Sequence, residues 1–485
     1  MTHKLRTLLT GIADVTDTEN VDVRGISLDS RNIEDGFLFI ALSGTVQDGS
    51  DFIADAVNRG AVAVLHDAGT TPNVDVAVPL LAVTDLRIQA GKIADRFYNS
   101  PSSKLTVIGV TGTNGKTTCT QLLARALNKH TRRCAVIGTL GNGFPDDLED
   151  SGHTTPDVVL LHRLLADFHH QGAEYVCIEV SSHALDQERT SGVVFDIAVF
   201  TNLSRDHLDY HGNMENYGVA KSRLFALPGL DAAVINSDDT FGQQLLNGIH
   251  QDIKTYRYGF AEADIQITNV ETVREGLRLD FKSPQGRMHF ISQLYGRFNA
   301  MNLAAITAVL LHIGHSKDEV ESIFSEMEPV AGRAERFTGD QALPLVVVDY
   351  AHSPDALEHI LQALREHTSG VLWCVFGCGG DRDKGKRSIM GAVAEKLADH
   401  VILTDDNPRT ETPQSIVKDI LSGMQTTPHV EHDRKAAILY AVHAASEQDV
   451  VLVAGKGHET YQQIGDKKLP FSDRDTVKAI LGEAA

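Results

Sequence analysis

The 485-residue sequence predicts an α/β protein of about three domains. Three observations lead there. The length exceeds what a single core usually fills. From residue 101 onward, short apolar runs alternate with helix-like patterns. Runs that are apolar on both faces, with helices between, signal parallel sheets. Finally, a glycine-rich segment closing on Lys-Thr-Thr follows one such run directly.

The first domain is read as residues 1–100. FLFIAL (37–42) and AVAVLH (61–66) are expected as buried strands, and DGSDFIADAVNRG (48–60) as a helix stopped by Gly60. NSPSSK (99–104) reads as a linker. The second domain, 101–332, carries strand-like runs at 105–110, 134–139, 174–180, 196–203 and 231–238. From 265 to 292 apolar and polar residues alternate, which predicts a small antiparallel addition. The third domain, 333–485, repeats the rhythm with runs at 343–350, 371–377, 400–406 and 450–456. Open α/β sheets bind ligands beyond the carboxyl ends of their strands, and most of the unusual polar clusters lie at such ends.

Composition narrows the function. The 42% hydrophobic and 22% charged fractions are those of a folded globular chain. A net charge of -21 without any long basic run argues against nucleic-acid binding. It also means that an anionic substrate must be held by local donors against the global field. No apolar stretch approaches ~18 residues, so no membrane insertion is expected. Met1 to Leu9 does not read as a signal peptide. Five scattered cysteines do not make a disulfide framework. Cys374 and Cys378 are expected as reduced core thiols and not as a zinc pair, which points to the cytoplasm.

The clearest chemistry is in GTNGKTT (112–118), between a strand-like run and the helix-like CTQLLARALNKH. Strand, glycine turn and helix N-terminus make a phosphate cradle: glycines let backbone N–H groups approach, and the helix end adds positive potential. Lys116 is placed for the β/γ-phosphates and Thr117 for Mg²⁺. The spacing is shorter than the common P-loop pattern, and GKTT by itself also occurs as a solvated turn. Glu179 ends a buried run, where a carboxylate is costly unless paired or metal-bound. TNLSRDHLDYHG (201–212) follows another run and supplies Asp206, His207, Asp209 and His211.

GTNGKTT, EVSSHAL (179–185), TNLSRDHLDYHG, YGVAKSRLF (217–225), GRFNAMN (296–302), VDYAHSPDAL (348–357), GCGGDRDKGKR (377–387), DDNPR (405–409) and GKGHE (455–459) resemble the Mur ligases, above all the branch adding the third peptide residue. LDSR (28–31) and GTVQDG (44–49) fit as well, so the resemblance covers nearly the whole chain. It implies a UDP-binding domain, a central P-loop-type ATPase domain and a Rossmann-like carboxyl-terminal domain. The reaction it implies is phosphorylation of a substrate carboxylate by ATP, followed by attack of an amine on the acyl phosphate.

The resemblance also assigns residues. Gly112, Thr113, Asn114, Gly115, Lys116, Thr117 and Thr118 would cradle ATP, with Asn299, Asn302, Arg333, Asp349 and His352 around it. Thr117, Glu179, His207 and Lys221 would hold Mg²⁺, Lys221 as a CO₂-derived carbamate, because a cationic amine cannot bind a metal. Lys116, Glu179, His207 and Lys221 would be the catalytic set. Leu28, Ser30, Thr45, Val46, Gln47, His153, Thr154, Thr155, Ser181, Gln187 and Arg189 would bind UDP-N-acetylmuramoyl-L-alanyl-D-glutamate; His153 stands where the family pattern has asparagine. Arg382, Asp406, Asn407, Pro408, Arg409, Gly455 and Glu459 would bind meso-diaminopimelate. Arg409 would pair with the distal carboxylate that lysine lacks, and Glu459 with the distal ammonium. The expected assembly state is a monomer.

Other readings are a lysine-adding ligase, a folylpolyglutamate synthase, a plain ATPase or kinase, and a scaffold without catalysis. DNPR opposes the first and the muramoyl-type motifs the second. The long third domain has no purpose in a plain ATPase, and the intact Lys116, Glu179, His207 and Lys221 oppose a scaffold.

Overall fold

The computed structural model describes residues 1–44, 47–129, 133–149, 152–273, 276–339 and 343–482, so Thr45 and Val46 lie outside it. It is an α/β structure organised around three main sheets.

The amino-terminal sheet has four parallel strands, Gly25–Ser27, Phe37–Ala41, Ala61–Asp67 and Leu80–Val83, side by side in chain order. The segment expected as one long helix is divided. Asp48 accepts a bond from Ser50 N and starts a 3₁₀ turn, Gly49–Phe52. Only Ile53–Asn58 is α-helical, and Gly60 follows at φ 110°. Helix Leu86–Phe97 joins this unit to the next. Gly91 meets the Ser191 backbone so closely that a Cβ would collide with it. The expected linker is a fixed connector: Asn99 and Ser100 are both left-handed, Ser100 is tied to Asp95, and Ser102 is buried.

The central sheet has eleven strands. Its parallel part runs Cys134–Gly138, Tyr175–Glu179, Thr106–Thr111, Ile197–Phe200, Ala232–Asn236, Lys254–Gly259. The chain starts in the middle at Thr106–Thr111, moves to one side, then returns and builds the other. The switch point of the sheet is therefore at the end of Thr106–Thr111, where the glycine loop begins. Lys254–Gly259 was not foreseen, because its buried positions are Tyr256 and Tyr258, with charged neighbours, and not aliphatic residues. Ile265–Val273 joins parallel to Lys254–Gly259 and continues antiparallel into Gly276–Ser283 and Gly286–Ser292, while Gly141–Phe144 and Asp147–Glu149 extend the opposite edge antiparallel. Apolar cores cover both faces. Leu122 and Leu123 of helix Lys116–Asn128 pack with Leu303 and Val309 of helix Arg297–His312 on one side. Leu161 and Leu165 of helix Val158–His170 pack on the other.

The carboxyl-terminal sheet runs Glu335–Phe337, Leu345–Asp349, Val450–Ala454, Leu372–Phe376, His400–Leu403, His429–Val430, all parallel except the first. Cys374 and Cys378 are buried free thiols, and burial pushes both up to about 12. Among the described residues no helix is long and apolar enough to cross a membrane.

One buried ion pair fixes the back of this unit. Arg434 donates to both Asp473 oxygens at 2.8 Å and to Ala454 O at 2.8 Å, with neither side chain exposed. Arg434→Met strands the Asp473 carboxylate in the interior. The expected loss is about 3–5 kcal/mol of unfolding free energy, measured by urea denaturation. Arg434→Met/Asp473→Leu is expected to recover most of it.

Candidate active site

The polar ends of the central and carboxyl-terminal sheets face one another across a cleft of ≈ 1140 Å³. The glycine loop forms its floor. Gly112 and Gly115 have φ of 149° and 87°, and their missing side chains leave room for Thr201 Oγ1 and Asn302 Oδ1. The neighbouring segment straps the loop down: Thr113 N donates to Asn202 O (2.8 Å), Asn114 N to Asn202 Oδ1 (3.0 Å), and Thr201 Oγ1 to Asn114 O (2.6 Å). The helix then begins at Lys116. Lys116 Nζ donates to Gly112 O and Thr113 O, both at 2.8 Å, and burial lowers its pKa.

Glu179, with no exposed surface, is satisfied from two sides. It accepts bonds from Thr117 Oγ1 (2.8 Å), Thr139 N (2.9 Å) and Thr139 Oγ1 (3.0 Å). Gly138 is what gives the carboxylate its space, since a Cβ there would overlap Glu179 Oε1. Lys221, on helix Met214–Ser222, is also buried. Its Nζ donates to Gly112 O at 2.7 Å and lies 4.3 Å from the centre of the Tyr217 ring. Burial, aided by Lys116, holds its pKa well below the usual lysine value.

His207 takes a left-handed conformation at φ 53° beside Asp206. Burial pushes His207 down to about 3 and also lowers His352. Asp206 faces His352 and His207, with Lys386 Nζ 3.9 Å away. Burial would raise Asp206, but these neighbours outweigh it and hold its pKa low.

The carboxyl-terminal unit completes the cleft. Arg333 Nη2 donates to Thr117 Oγ1 at 2.9 Å, and its guanidinium stacks 4.4 Å from the Tyr350 ring centre. Asp355 accepts bonds from Asn114 (2.8 Å) and Ser204 (3.0 Å). Asp349 accepts Ala334 N and Ala351 N, both at 2.7 Å, and shapes the turn that carries Arg333. Deeper in, Glu459 Oε2 accepts Asn407 Nδ2 (2.9 Å) and Lys456 Nζ (2.7 Å). Gly455, at φ 118°, leaves space for Asp406. Arg409 Nη1 donates to Gly380 O at 2.7 Å.

The fold brings most of the expected residues into this one cleft: Thr113 to Thr118, His153, Thr154, Thr155, Glu179, Ser181, Arg189, His207, Lys221, Asn302, Arg333, Asp349, His352, Arg382, Asp406, Asn407, Arg409, Gly455 and Glu459 line it. Others stand behind the lining. Asn299 holds the Asn302 amide (2.9 Å), Gln187 accepts from Arg189 (2.7 Å), and Pro408 packs against Gly380. Leu28, Ser30 and Gln47 belong to the amino-terminal unit and are not part of the lining. That unit reaches toward the cleft through Arg87, which bonds Ser43 O and acts electrostatically on Arg189.

Known proteins share this arrangement. Residues 22–98 match the Mur ligase family, catalytic domain; 110–310 match the Mur ligase middle domain; 332–457 match the Mur ligase, glutamate ligase domain. A curated relative, the UDP-N-acetylmuramoyl-L-alanyl-D-glutamate–2,6-diaminopimelate ligase of Alkalilimnicola ehrlichii, is 48% identical over 493 residues, covering 99% of each chain. The chain belongs to the Mur ligase family. A solved structure of a UDP-N-acetylmuramoyl-L-alanyl-D-glutamate–2,6-diaminopimelate ligase superposes on this Mur ligase with TM-score 0.73, at 37% identity, over 99% of both chains. A Mycobacterium tuberculosis folylpolyglutamate synthase superposes with TM-score 0.64 at 18% identity, over 76% of this chain, which is a likeness of fold alone.

Sequence reasoning missed Asp355, Tyr350 and Lys386 as parts of this Mur ligase's cleft. Each lies in a motif already singled out, but the importance of Asp355 and Lys386 comes from contacts across the cleft, and that of Tyr350 from stacking on Arg333, which no local pattern encodes. Gly138 was missed too, although a glycine ending an apolar run is a usable signal. Gly138→Ala is expected to keep the fold, as read by circular dichroism, while displacing Glu179. Ligase turnover should fall by about 100-fold, the usual cost of a misplacement near 1 Å.

Proposed function

We propose that this enzyme is an ATP-dependent amide ligase that adds meso-diaminopimelate to UDP-N-acetylmuramoyl-L-alanyl-D-glutamate, as a cytoplasmic monomer in peptidoglycan precursor synthesis. The observation that carries the reading is the meeting of two motifs in one cleft: the strapped glycine loop with Lys116, and the Asn407–Arg409–Glu459 group opposite it. The names of relatives 45–49% identical support the same substrates.

A carboxylate is a poor acyl donor at neutral pH. In the proposed reaction its oxygen takes the γ-phosphoryl group and ADP leaves. The neutral amine of diaminopimelate then attacks the acyl carbon, and the tetrahedral intermediate collapses to the amide as the N–H proton and phosphate leave. Both steps bring anions together, so the site must supply positive charge. Lys116, now folded over two carbonyls of its own loop, turns to the β/γ-phosphates when ATP enters. Arg333 approaches from the other unit, so charge compensation requires the cleft to close. Arg189, whose bonds to Thr155 O and Gln187 leave it in the lining, receives the anionic UDP-dipeptide. Gln187, Thr154, Thr155, Ser181 and His153 complete that wall, with Leu28, Ser30 and Gln47 gripping the uridine end.

Thr117 and Glu179, two hard oxygen donors 2.8 Å apart, fit Mg²⁺, with His207 nearby. Bound there, the ion offsets the like charges of triphosphate and carboxylate. Lys221 fits this role only after modification. Its amine is buried, has no ion pair among the described residues, and has a lowered pKa. Such an amine is populated in the neutral form that adds to CO₂, forming an N–C bond and releasing a proton. The product is an anionic oxygen donor. With ¹³C-bicarbonate, the enzyme is expected to give a carbamate ¹³C signal that Lys221→Arg lacks. The same spectrum from both proteins removes the assignment.

In the amino-acid pocket Glu459 Oε2 is occupied by Asn407 and Lys456, while Oε1 makes no hydrogen bond among the described residues and remains for an ammonium group. Arg409 and Arg382 are the arginines of this wall for the distal carboxylate. With ATP, Mg²⁺ and the UDP-dipeptide, phosphate release and product mass are expected with diaminopimelate and not with L-lysine. Arg409→Ala should lower kcat/KM for diaminopimelate by roughly 1000-fold, the scale of an unpaired polar site, with KM for ATP little changed. Wild-type product with lysine defeats the specificity reading, and absence of product with either defeats the ligase reading.

A further inference from the structure

The short hairpin Tyr461–Ile464 and Lys467–Pro470 forms its own two-stranded sheet, outside the three larger ones. Apolar burial does not explain where it sits, because Ile464 and Leu469 are 49% and 46% exposed. Its polar contacts do, and they converge on one segment, residues 405–409. Gln462 Nε2 donates to Asp406 O at 2.7 Å and to Asp405 O at 3.4 Å. Gln463 N donates to Asn407 Oδ1 at 2.8 Å. Gln463 O accepts Arg409 N at 3.1 Å, and Gly465 N donates to Arg409 O at 2.8 Å.

The last two bonds hold Arg409 on both sides, and Arg409 needs them. Its φ is 52°, in the left-handed region that a bulky residue occupies only when its surroundings over-determine it. Strand His400–Leu403 has ended before this point, so the carboxyl-terminal sheet does not impose that conformation. The left-handed turn sends the guanidinium to Gly380 O, and Gly379 leaves room for it: a Cβ there would stand 3.0 Å from Arg409 Nη1. The turn of the hairpin is fixed in its own right, with Gly465 at φ 56° and its carbonyl accepting Gln463 Nε2 at 3.2 Å.

We propose that this hairpin is the positioning device for Arg409, with Gln462 and Gly465 as its positioning residues. By holding the arginine left-handed, it sets the preference for an amino acid bearing a distal carboxylate. The proposal rests on the reading of Arg409 as the partner of that carboxylate. Neither Gln462 nor Gly465 lines the cleft, although Tyr461 and Lys468 of the same hairpin do, and the bonds that Gln462 and Gly465 make outside the hairpin go to the 405–409 segment.

The test uses Gln462→Met, which keeps length and removes the donor, and Gly465→Pro, which removes the N–H and forbids the positive φ. Values of kcat and KM are measured for diaminopimelate, ATP and the UDP-dipeptide, together with the diaminopimelate-to-lysine ratio of kcat/KM. In both variants KM for diaminopimelate is expected to rise about tenfold, the effect of a lost hydrogen bond, with the ratio falling in parallel. KM for ATP and the UDP-dipeptide should stay within twofold. In an Arg409→Ala background Gln462→Met is expected to add nothing, because the two act through one contact. Equal losses toward all substrates, an unchanged KM for diaminopimelate, or effects that multiply in the double variant overturn the proposal. If Arg409→Ala alone keeps full discrimination, the assignment of Arg409 falls and the hairpin proposal falls with it. The single Arg409 variant tells these two failures apart.

Discussion

A carboxylate with no exposed surface ends the Tyr175–Glu179 strand, and the rest of the active cleft is arranged to satisfy it. Burying such a group is unfavourable unless hydrogen bonds or cations replace its water. Thr139 meets it from the adjacent strand, Thr117 from the first turn of the phosphate-loop helix, and Gly138 supplies the space. Thr117 is in turn held by Arg333 from the carboxyl-terminal unit. One chain of polar contacts therefore joins two strands, the glycine loop and the next unit.

The geometry of that chain follows from sheet topology. The central sheet starts at Thr106–Thr111 and is built outward in both directions, so the loops after neighbouring strands diverge there and open a crevice. The glycine loop fills it, pinned by Thr201 and Asn202 from the strand on one side and facing Glu179 from the strand on the other. Lys116 and Lys221 both donate hydrogen bonds to the carbonyl of Gly112. Burial disfavours charge on both amines, and Lys116 adds to that effect at Lys221, so this site is poised to take up anionic groups.

Phe298 and Tyr295 of the central unit pack against the carboxyl-terminal core and His367 respectively. Across the cleft the central and carboxyl-terminal units meet through polar contacts: Asn114 and Ser204 with Asp355, Asp206 with Lys386, Thr117 with Arg333. Bonds of this kind, exchanged readily with water, suit a cleft that opens to load substrates and closes for chemistry. The wall around Glu459 is built differently. Asn407, Lys456, Glu459 and the Tyr461–Pro470 hairpin are tied within one unit, backed by the buried Arg434–Asp473 pair.

By itself the sequence determined the α/β class, the strand runs at 105–110, 174–180, 343–350 and 450–456, the glycine loop, and the family to which the chain belongs. Those signals are local: apolar runs buried on both faces cannot be loops, and a Gly-Lys-Thr turn after a strand has one economical conformation. Periodicity was misleading where polarity masked burial, as in Lys254–Gly259 with its two tyrosines, and where a capping aspartate redirected the chain, as at Asp48. Only the tertiary structure decided that Asn299 acts behind Asn302, that Gly138 makes room for Glu179, that Asp355 and Lys386 reach across the cleft, and that a peripheral hairpin holds Arg409 left-handed. Each of those depends on residues distant in sequence, or on neighbouring strands, meeting at hydrogen-bond distance, and no local pattern carries that information because the strand order that brings them together is a property of the whole sheet.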